Sequence, residues 1–182
     1  MKVVQPIREK TKIEEIKKIL KTKNIRNYIM FVIGIYTGLR ISDILQLKVK
    51  DLKNQDYLRL KEKKTSKNNR LLINNKLKRD LKPYLENRDG EEYIIQSRKG
   101  INQPLQRDMA YKLLAGAAKE LGMEEIGCHT LRKTFGYHFY FQSKNNIGLL
   151  MDIFNHSSER ITLRYIGVNQ DMRDKAMKNF RY

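Results

Sequence analysis

In Cys128-His129-Thr130-Leu131-Arg132 an imidazole and a guanidinium stand three residues apart, neighbours on one face of a helical turn. A cation disfavours protonation of the imidazole beside it, and a shared anion such as a phosphate reconciles the two; by itself the pair also fits an exposed surface pair. In Thr37-Gly38-Leu39-Arg40-Ile41-Ser42-Asp43, Arg40 follows a glycine turn and opens the next helix, where free backbone N–H groups already favour an anion. Arginine can contact two phosphate oxygens at once, which lysine cannot. Asp43 lies one turn later, placed to brace Arg40 or to form an ordinary surface salt bridge worth little. A third segment sets His156 nine residues before Tyr165. A phenol, with a pKa of about 10, is a weak nucleophile until a base or nearby cations help it ionise. Two histidines and two arginines converging on Tyr165 would supply that help.

Such convergence needs elements that bring distant segments together. Thr11-Lys-Ile-Glu14 has the form of a capping box, after which Ile13, Ile16, Ile19 and Leu20 share one helical face. A second, more buried helix reads from about 24 to 37 and ends at Gly38, which accepts positive φ cheaply. A short third helix carries Ile41, Ile44, Leu45 and Leu47. Two short apolar runs, Tyr57 to Leu60 and Leu71 to Ile73, flank a polar stretch and predict a β-hairpin, with Tyr93-Ile94-Ile95 as a third strand. Lys76 to Asn87 reads as helix despite Pro83. Met109, Leu113, Leu114, Ala117 and Leu121 form a helical stripe ending at Gly122, and further helices are expected at 131–142, 147–154, 158–165 and 172–180. The expected fold is mainly α with a small three-stranded antiparallel β-sheet.

The chain has 182 residues, enough for one domain of roughly 100–200 residues. It carries 38 Lys and Arg against 20 Asp and Glu, a formal charge of +18, which predicts attraction to a polyanion. The positive charge recurs along the whole chain instead of on one amphipathic helix, so nucleic acid is favoured over a membrane surface. Cys128 is the single cysteine and cannot form an internal disulfide; with three histidines, a structural zinc cluster is not expected. The longest apolar run, Tyr28 to Tyr36, falls far short of the roughly 20 residues that span a bilayer. The first six residues lack the apolar core of a signal peptide, so the expected setting is a reducing cytoplasm, on the nucleoid.

Each motif is weak alone, but their order and spacing are specific: T-G-L-R-x-x-D, a K-T in the hairpin, H-x-L-R, then His with Tyr nine residues on. This arrangement resembles the catalytic domain of the tyrosine recombinases, the phage-integrase family of DNA strand-exchange enzymes, from about Thr11 through Tyr165. The resemblance implies the tyrosine recombinase/integrase catalytic-domain fold, with Arg40 and Arg132 as two clamps on the scissile phosphate. It places His129 at the first catalytic histidine position and His156 where the family has histidine or tryptophan. Tyr165 matches the nucleophile and Asp43 an acidic supporting position. Lys64, heading Lys64-Thr65-Ser66-Lys67, best matches the hairpin lysine that protonates the leaving 5′ oxygen. Lys61, Lys63 and Lys67 share that turn and are expected as DNA contacts.

The implied reaction is metal-independent transesterification without a cofactor, through a 3′-phosphotyrosyl link and a free 5′-hydroxyl. The sequence offers no dense carboxylate cluster of the kind a two-metal nuclease needs. The implied partner is double-stranded DNA, with self-association into a tetramer on DNA and a monomer or weak dimer without it. The match begins almost at Met1, so a single catalytic domain over 1–182 is expected, lacking the family's separate N-terminal DNA-binding domain. Residues 170–182 read as a tail helix docking in cis or on a neighbouring protomer. Two competing readings are a DNA-binding domain of the same fold with little catalysis, and relaxation of DNA in the manner of a type IB topoisomerase.

Overall fold

The fold is built around one unusually apolar helix. In the computed structural model, which describes residues 4–61 and 68–181, α1 (Lys10–Lys23) leads into α2 (Ile25–Thr37), where every residue from Tyr28 to Gly34 is buried. The Asn24 side chain accepts from the Arg26 N–H at 2.9 Å and starts α2; Gly38, at φ 66°, ends it in the left-handed conformation. α1 lays Ile13, Ile16 and Leu20 on α2. The expected capping box does not form: the helix starts two residues earlier, Thr11 lies inside it, and Glu14 pairs with Lys17 at 2.8 Å. α3 (Ile41–Leu45) and α4 (Val49–Leu52) follow, each burying its aliphatic side chains.

Strand β1 (Tyr57–Lys61) pairs antiparallel with β2 (Asn68–Leu72), Tyr57 opposite Leu72 and Lys61 opposite Asn68. Among the described residues the sheet has these two strands, not three. Tyr93-Ile94-Ile95 instead enters the core as a bent segment: Tyr93 bridges Lys48, Ile94 N–H donates to Leu47 O at 2.8 Å, and Ile95 O accepts from Leu105 N–H at 2.8 Å. Ile94 and Ile95 are both fully buried, whereas consecutive strand residues facing one core would alternate. The backbone of this segment is satisfied by two loops and has no place in the hairpin ladder. α5 (Asn75–Leu85) tolerates Pro83 in its last turn and buries Leu77, Leu81 and Leu85.

α6 (Arg107–Lys119) turns Ala110, Leu114, Ala117 and Ala118 inward; Met109, expected in that stripe, is exposed. α7 (Cys128–Gln142) begins three residues before its expected start, because the Thr130 hydroxyl accepts the Gly127 N–H at 3.0 Å and stabilises an earlier first turn. That places His129 and Arg132 on one helix. α7 crosses α2 where Gly34 leaves room for Leu131; a methyl at Gly34 would lie 2.5 Å from the leucine. α8 (Ile147–Phe154), α9 (Glu159–Ile166) and α10 (Val168–Asn179) complete the chain, with Leu150, Phe154, Ile166 and Val168 forming a second small core against α7.

Gly136 is the point where α8 and α9 press onto α7. A methyl there would lie 2.7 Å from Ile166 and 2.8 Å from the Phe154 ring. Gly136→Ala should therefore destabilise the protein even though alanine is the better helix former. Overpacking exceeds the propensity gain by about 1–2 kcal/mol. Thermal unfolding should show Tm lowered by about 3–6 °C; an unchanged or raised Tm would mean that the contact gives way freely.

Candidate active site

Arg132 projects from α7 into the junction of three segments and is almost fully buried. Its Nη1 donates to Gly38 O at 2.7 Å and its Nη2 to Phe154 O at 2.9 Å. The guanidinium carbon lies 4.1 Å from the centre of the Phe154 ring, a cation–π contact. Gly38 stands two residues before Arg40, and Phe154 two residues before His156. One side chain thus ties down the two turns that present the other cationic groups, and its planar fork keeps further N–H donors for an anion. Burial, and then the charge of Arg40, push the Arg132 pKa down to about 10; Tyr165 and Asp43 act in the opposite direction.

Arg40 is exposed at the N-terminus of α3, with its carbonyl accepting the Asp43 and Ile44 N–H groups at 2.9 and 3.1 Å. Its charge bears on Arg132, His129, His156 and Tyr165 alike. Asp43 is half-buried and accepts a 3.3 Å hydrogen bond from the Ser42 hydroxyl. Two guanidiniums facing one point repel each other in the free protein. An incoming phosphate converts that repulsion into attraction.

Tyr165 sits on α9, half-buried, with its ring edge-on to Phe154 (centroids 5.7 Å apart) and to His156 (5.3 Å). Its hydroxyl lies 3.3 Å from His129 Nδ1. Burial raises the phenol pKa more than Arg132 and Arg40 lower it, so the side chain is protonated at neutral pH. The protein around the His129 ring, then Arg107, Lys133, Arg132 and Arg40, hold that imidazole below its ordinary pKa. It is neutral near pH 7 and able to take the phenolic proton. His156 Nδ1 lies 3.1 Å from the Thr162 hydroxyl, which itself donates to Ser158 O at 3.0 Å; that commitment makes Nδ1 the donor and fixes the ring. Burial, followed by Arg132 and Arg40, lowers the His156 pKa as well.

Arg40, Asp43, His129, Arg132, His156 and Tyr165 therefore meet at one place. Lys63, Lys64 and Lys67 lie outside the described residues; Lys61 ends β1, paired with Asn68. Cys128 packs in the core beside this site, and His138 bonds to Ile7 O at 3.0 Å, away from it. Sequence reasoning passed over four neighbours. Phe154 supplies both a carbonyl and a ring to Arg132, Thr162 orients His156, Arg107 faces His129, and Lys133 Nζ lies 5.3 Å from the centre of the Tyr165 ring. Lys133 had one local signal: it follows Arg132 and stands four residues after His129, one helical turn on.

A profile described as the phage integrase family matches residues 8–172. A probable integrase/recombinase of Bacillus subtilis (strain 168), YoeC, is 48% identical over 180 residues, covering 99% of this chain and 98% of that protein. Three further curated relatives, each named a tyrosine recombinase, are 24% to 29% identical, and the chain spans about half their length. Among solved structures, a XerA recombinase superposes with a TM-score of 0.75 at 17% identity, over 99% of this chain and 67% of that one. A XerH site-specific recombinase, bound to a palindromic difH substrate in a post-cleavage complex, gives 0.74 at 19% identity, over 98% and 54%. These likenesses agree with the fold: the chain belongs to the phage integrase family, the family of the tyrosine recombinases.

Proposed function

We propose that this protein cleaves and rejoins double-stranded DNA by metal-independent transesterification at Tyr165. The observation that carries this reading is the Tyr165 hydroxyl 3.3 Å from a neutral imidazole, beside Arg132 and within the field of Arg40. The phenolic oxygen attacks the scissile phosphorus while its proton passes to His129. The bond from phosphorus to the 5′ oxygen breaks, and Lys64, which lies between β1 and β2 in the sequence, protonates the departing oxygen. Arg40 and Arg132 stabilise the charge that grows on the nonbridging oxygens, where fixed cations act most strongly in the transition state, and His156 joins them once the incoming phosphate favours protonation of its Nε2. The product is a 3′-phosphotyrosyl link and a free 5′-hydroxyl. The link keeps the energy of the phosphodiester, so a second 5′-hydroxyl reverses the step without ATP and exchanges partners. The +18 charge suits a DNA partner, and the XerH recombinase of like fold was captured on a palindromic difH substrate. On DNA we expect a tetramer, with α10 contributing: its first turn is held in cis by Asp171 to Arg8, while Met172 and Met177 are exposed.

A pool of duplexes randomised around a fixed nick tests this without knowledge of the target site. Cleavage a few nucleotides from the nick releases the short fragment between them and strands the protein on DNA. In EDTA the protein should yield a detergent-resistant covalent adduct. Salt-sensitive binding with no adduct would favour a binding domain of the same fold. Relaxation of supercoiled plasmid by the monomer would favour topoisomerase-like chemistry.

A further inference from the structure

Residues 4–9, which precede α1, form no helix or strand, yet Val4, Gln5, Ile7 and Arg8 are each bonded to the body of the protein. Lys133 Nζ donates to Val4 O at 2.7 Å, Gln5 N–H to Glu125 O at 3.0 Å, and Ile7 N–H to the Thr134 hydroxyl at 2.9 Å. Ile7 is fully buried. Arg8 Nε lies 2.9 Å from both carboxylate oxygens of Asp171, and its Nη2 lies 2.7 Å from Oδ1. Pro6 and Arg8 also pack over Gly167, the left-handed residue joining α9 to α10. The segment consequently reaches Tyr165 from two directions. Lys133 is bonded to Val4 and touches the ring of Tyr165; Arg8 grips the helix that begins three residues after it.

We propose that Val4–Arg8 is a brace that sets the position of the nucleophile, with Lys133 and Arg8 as its two positioning residues. This inference rests on the reading of Tyr165 as nucleophile. A cation fixed against an aromatic face restrains where that ring lies, and the Val4 carbonyl holds the ammonium where the ring needs it. The ion pair at Arg8 fixes the exit of α9, so that the helix bearing Tyr165 neither slides nor tilts. In-line attack tolerates little displacement: a shift of about 1 Å can cost about 10²-fold in rate. Motion of the segment would move the hydroxyl relative to His129 and the two guanidiniums while leaving those groups in place.

The test compares single-turnover cleavage of a nicked duplex at saturating DNA with DNA affinity and Tm, measured on the same preparations. Lys133→Met should slow cleavage about 10- to 100-fold, with affinity changed less than about threefold, and Lys133→Arg should recover most of the rate. The groups facing His129 are Arg107, Arg132, Lys133, Arg40 and Tyr165. Removing Lys133 deletes a cation that keeps the imidazole deprotonated, so the acid limb of the pH–rate profile should move to higher pH in Lys133→Met alone. Arg8→Asp should slow cleavage about tenfold with that limb unmoved, and adding Asp171→Arg should restore the rate by reversing the pair. If Lys133→Met fails to fold, the Arg8 and Asp171 exchange decides the question. Folded variants that cleave at the wild-type rate, or lose rate only as they lose affinity, would overturn the brace. A wild-type protein that forms no adduct would instead overturn the assignment of Tyr165.

Discussion

Arg132→Ala should lower the cleavage rate by at least about 10³-fold while weakening DNA binding far less. Two losses combine. The transition state loses a fixed guanidinium at the phosphate, and the site loses the clasp that joins the turn before Arg40 to the turn before His156. Leaving the Gly38 and Phe154 carbonyls without their donor costs about 1–3 kcal/mol for each that stays buried. Tm should consequently fall by several degrees, at about 2–4 °C per kcal/mol. Arg132→Lys separates the roles. It retains the charge, but an ammonium is a point donor that cannot span two carbonyls and grip a phosphate as a planar fork does. Its affinity should stay near wild type and its cleavage rate near that of Arg132→Ala. Single-turnover kinetics and fluorescence anisotropy on one labelled duplex measure both quantities. Full cleavage by Arg132→Lys would mean that charge alone is enough.

Tyr165→Phe should abolish the covalent adduct, a loss of at least about 10⁴-fold, and leave the fold intact. The ring lies against Phe154, His156 and Lys133, contacts that phenylalanine keeps. The lost hydroxyl is one that burial already disfavours in its charged form. Deleting it should hold or slightly raise Tm, since a partly buried hydroxyl is costly unless well bonded. DNA affinity should also be retained. This combination of normal stability, normal binding and no adduct is what removal of a nucleophile predicts, and loss of a structural residue would not produce it. Any adduct formed by Tyr165→Phe would move the chemistry to another side chain.

Much of the scaffold was legible because it is set by local rules. Gly38 ends α2 for the reason its lack of a Cβ gives, and α8 spans the residues its pattern assigns. Other features depended on contacts distant in sequence. Thr11 and Glu14 satisfy the capping pattern, yet Glu14 found Lys17 and the helix started earlier. Tyr93-Ile94-Ile95 has strand composition, but both isoleucines are enclosed and the backbone pairs with Leu47 and Leu105. The order of the motifs singled out Arg40, Asp43, His129, Arg132, His156 and Tyr165, the residues that meet in the structure, while Lys63, Lys64 and Lys67 lie outside the described residues. How the site residues are held was not legible: the clasp from Arg132 to two carbonyls joins residues 94 and 22 positions apart, and no local pattern encodes it. Lys133 likewise gains its meaning from Val4 and Tyr165, one far upstream and one on another helix.

In the proposed reaction a tyrosine oxygen displaces a sugar oxygen from phosphorus, and the chain has ten tyrosines to choose from. Proteolysis of the trapped adduct, followed by mass spectrometry of the nucleotide-bearing peptide, addresses that choice directly. A single modified peptide is expected, containing Tyr165 joined to a DNA 3′-phosphate, with the released strand ending in a 5′-hydroxyl. Attachment at any other residue, or through a 5′-phosphate, would contradict it.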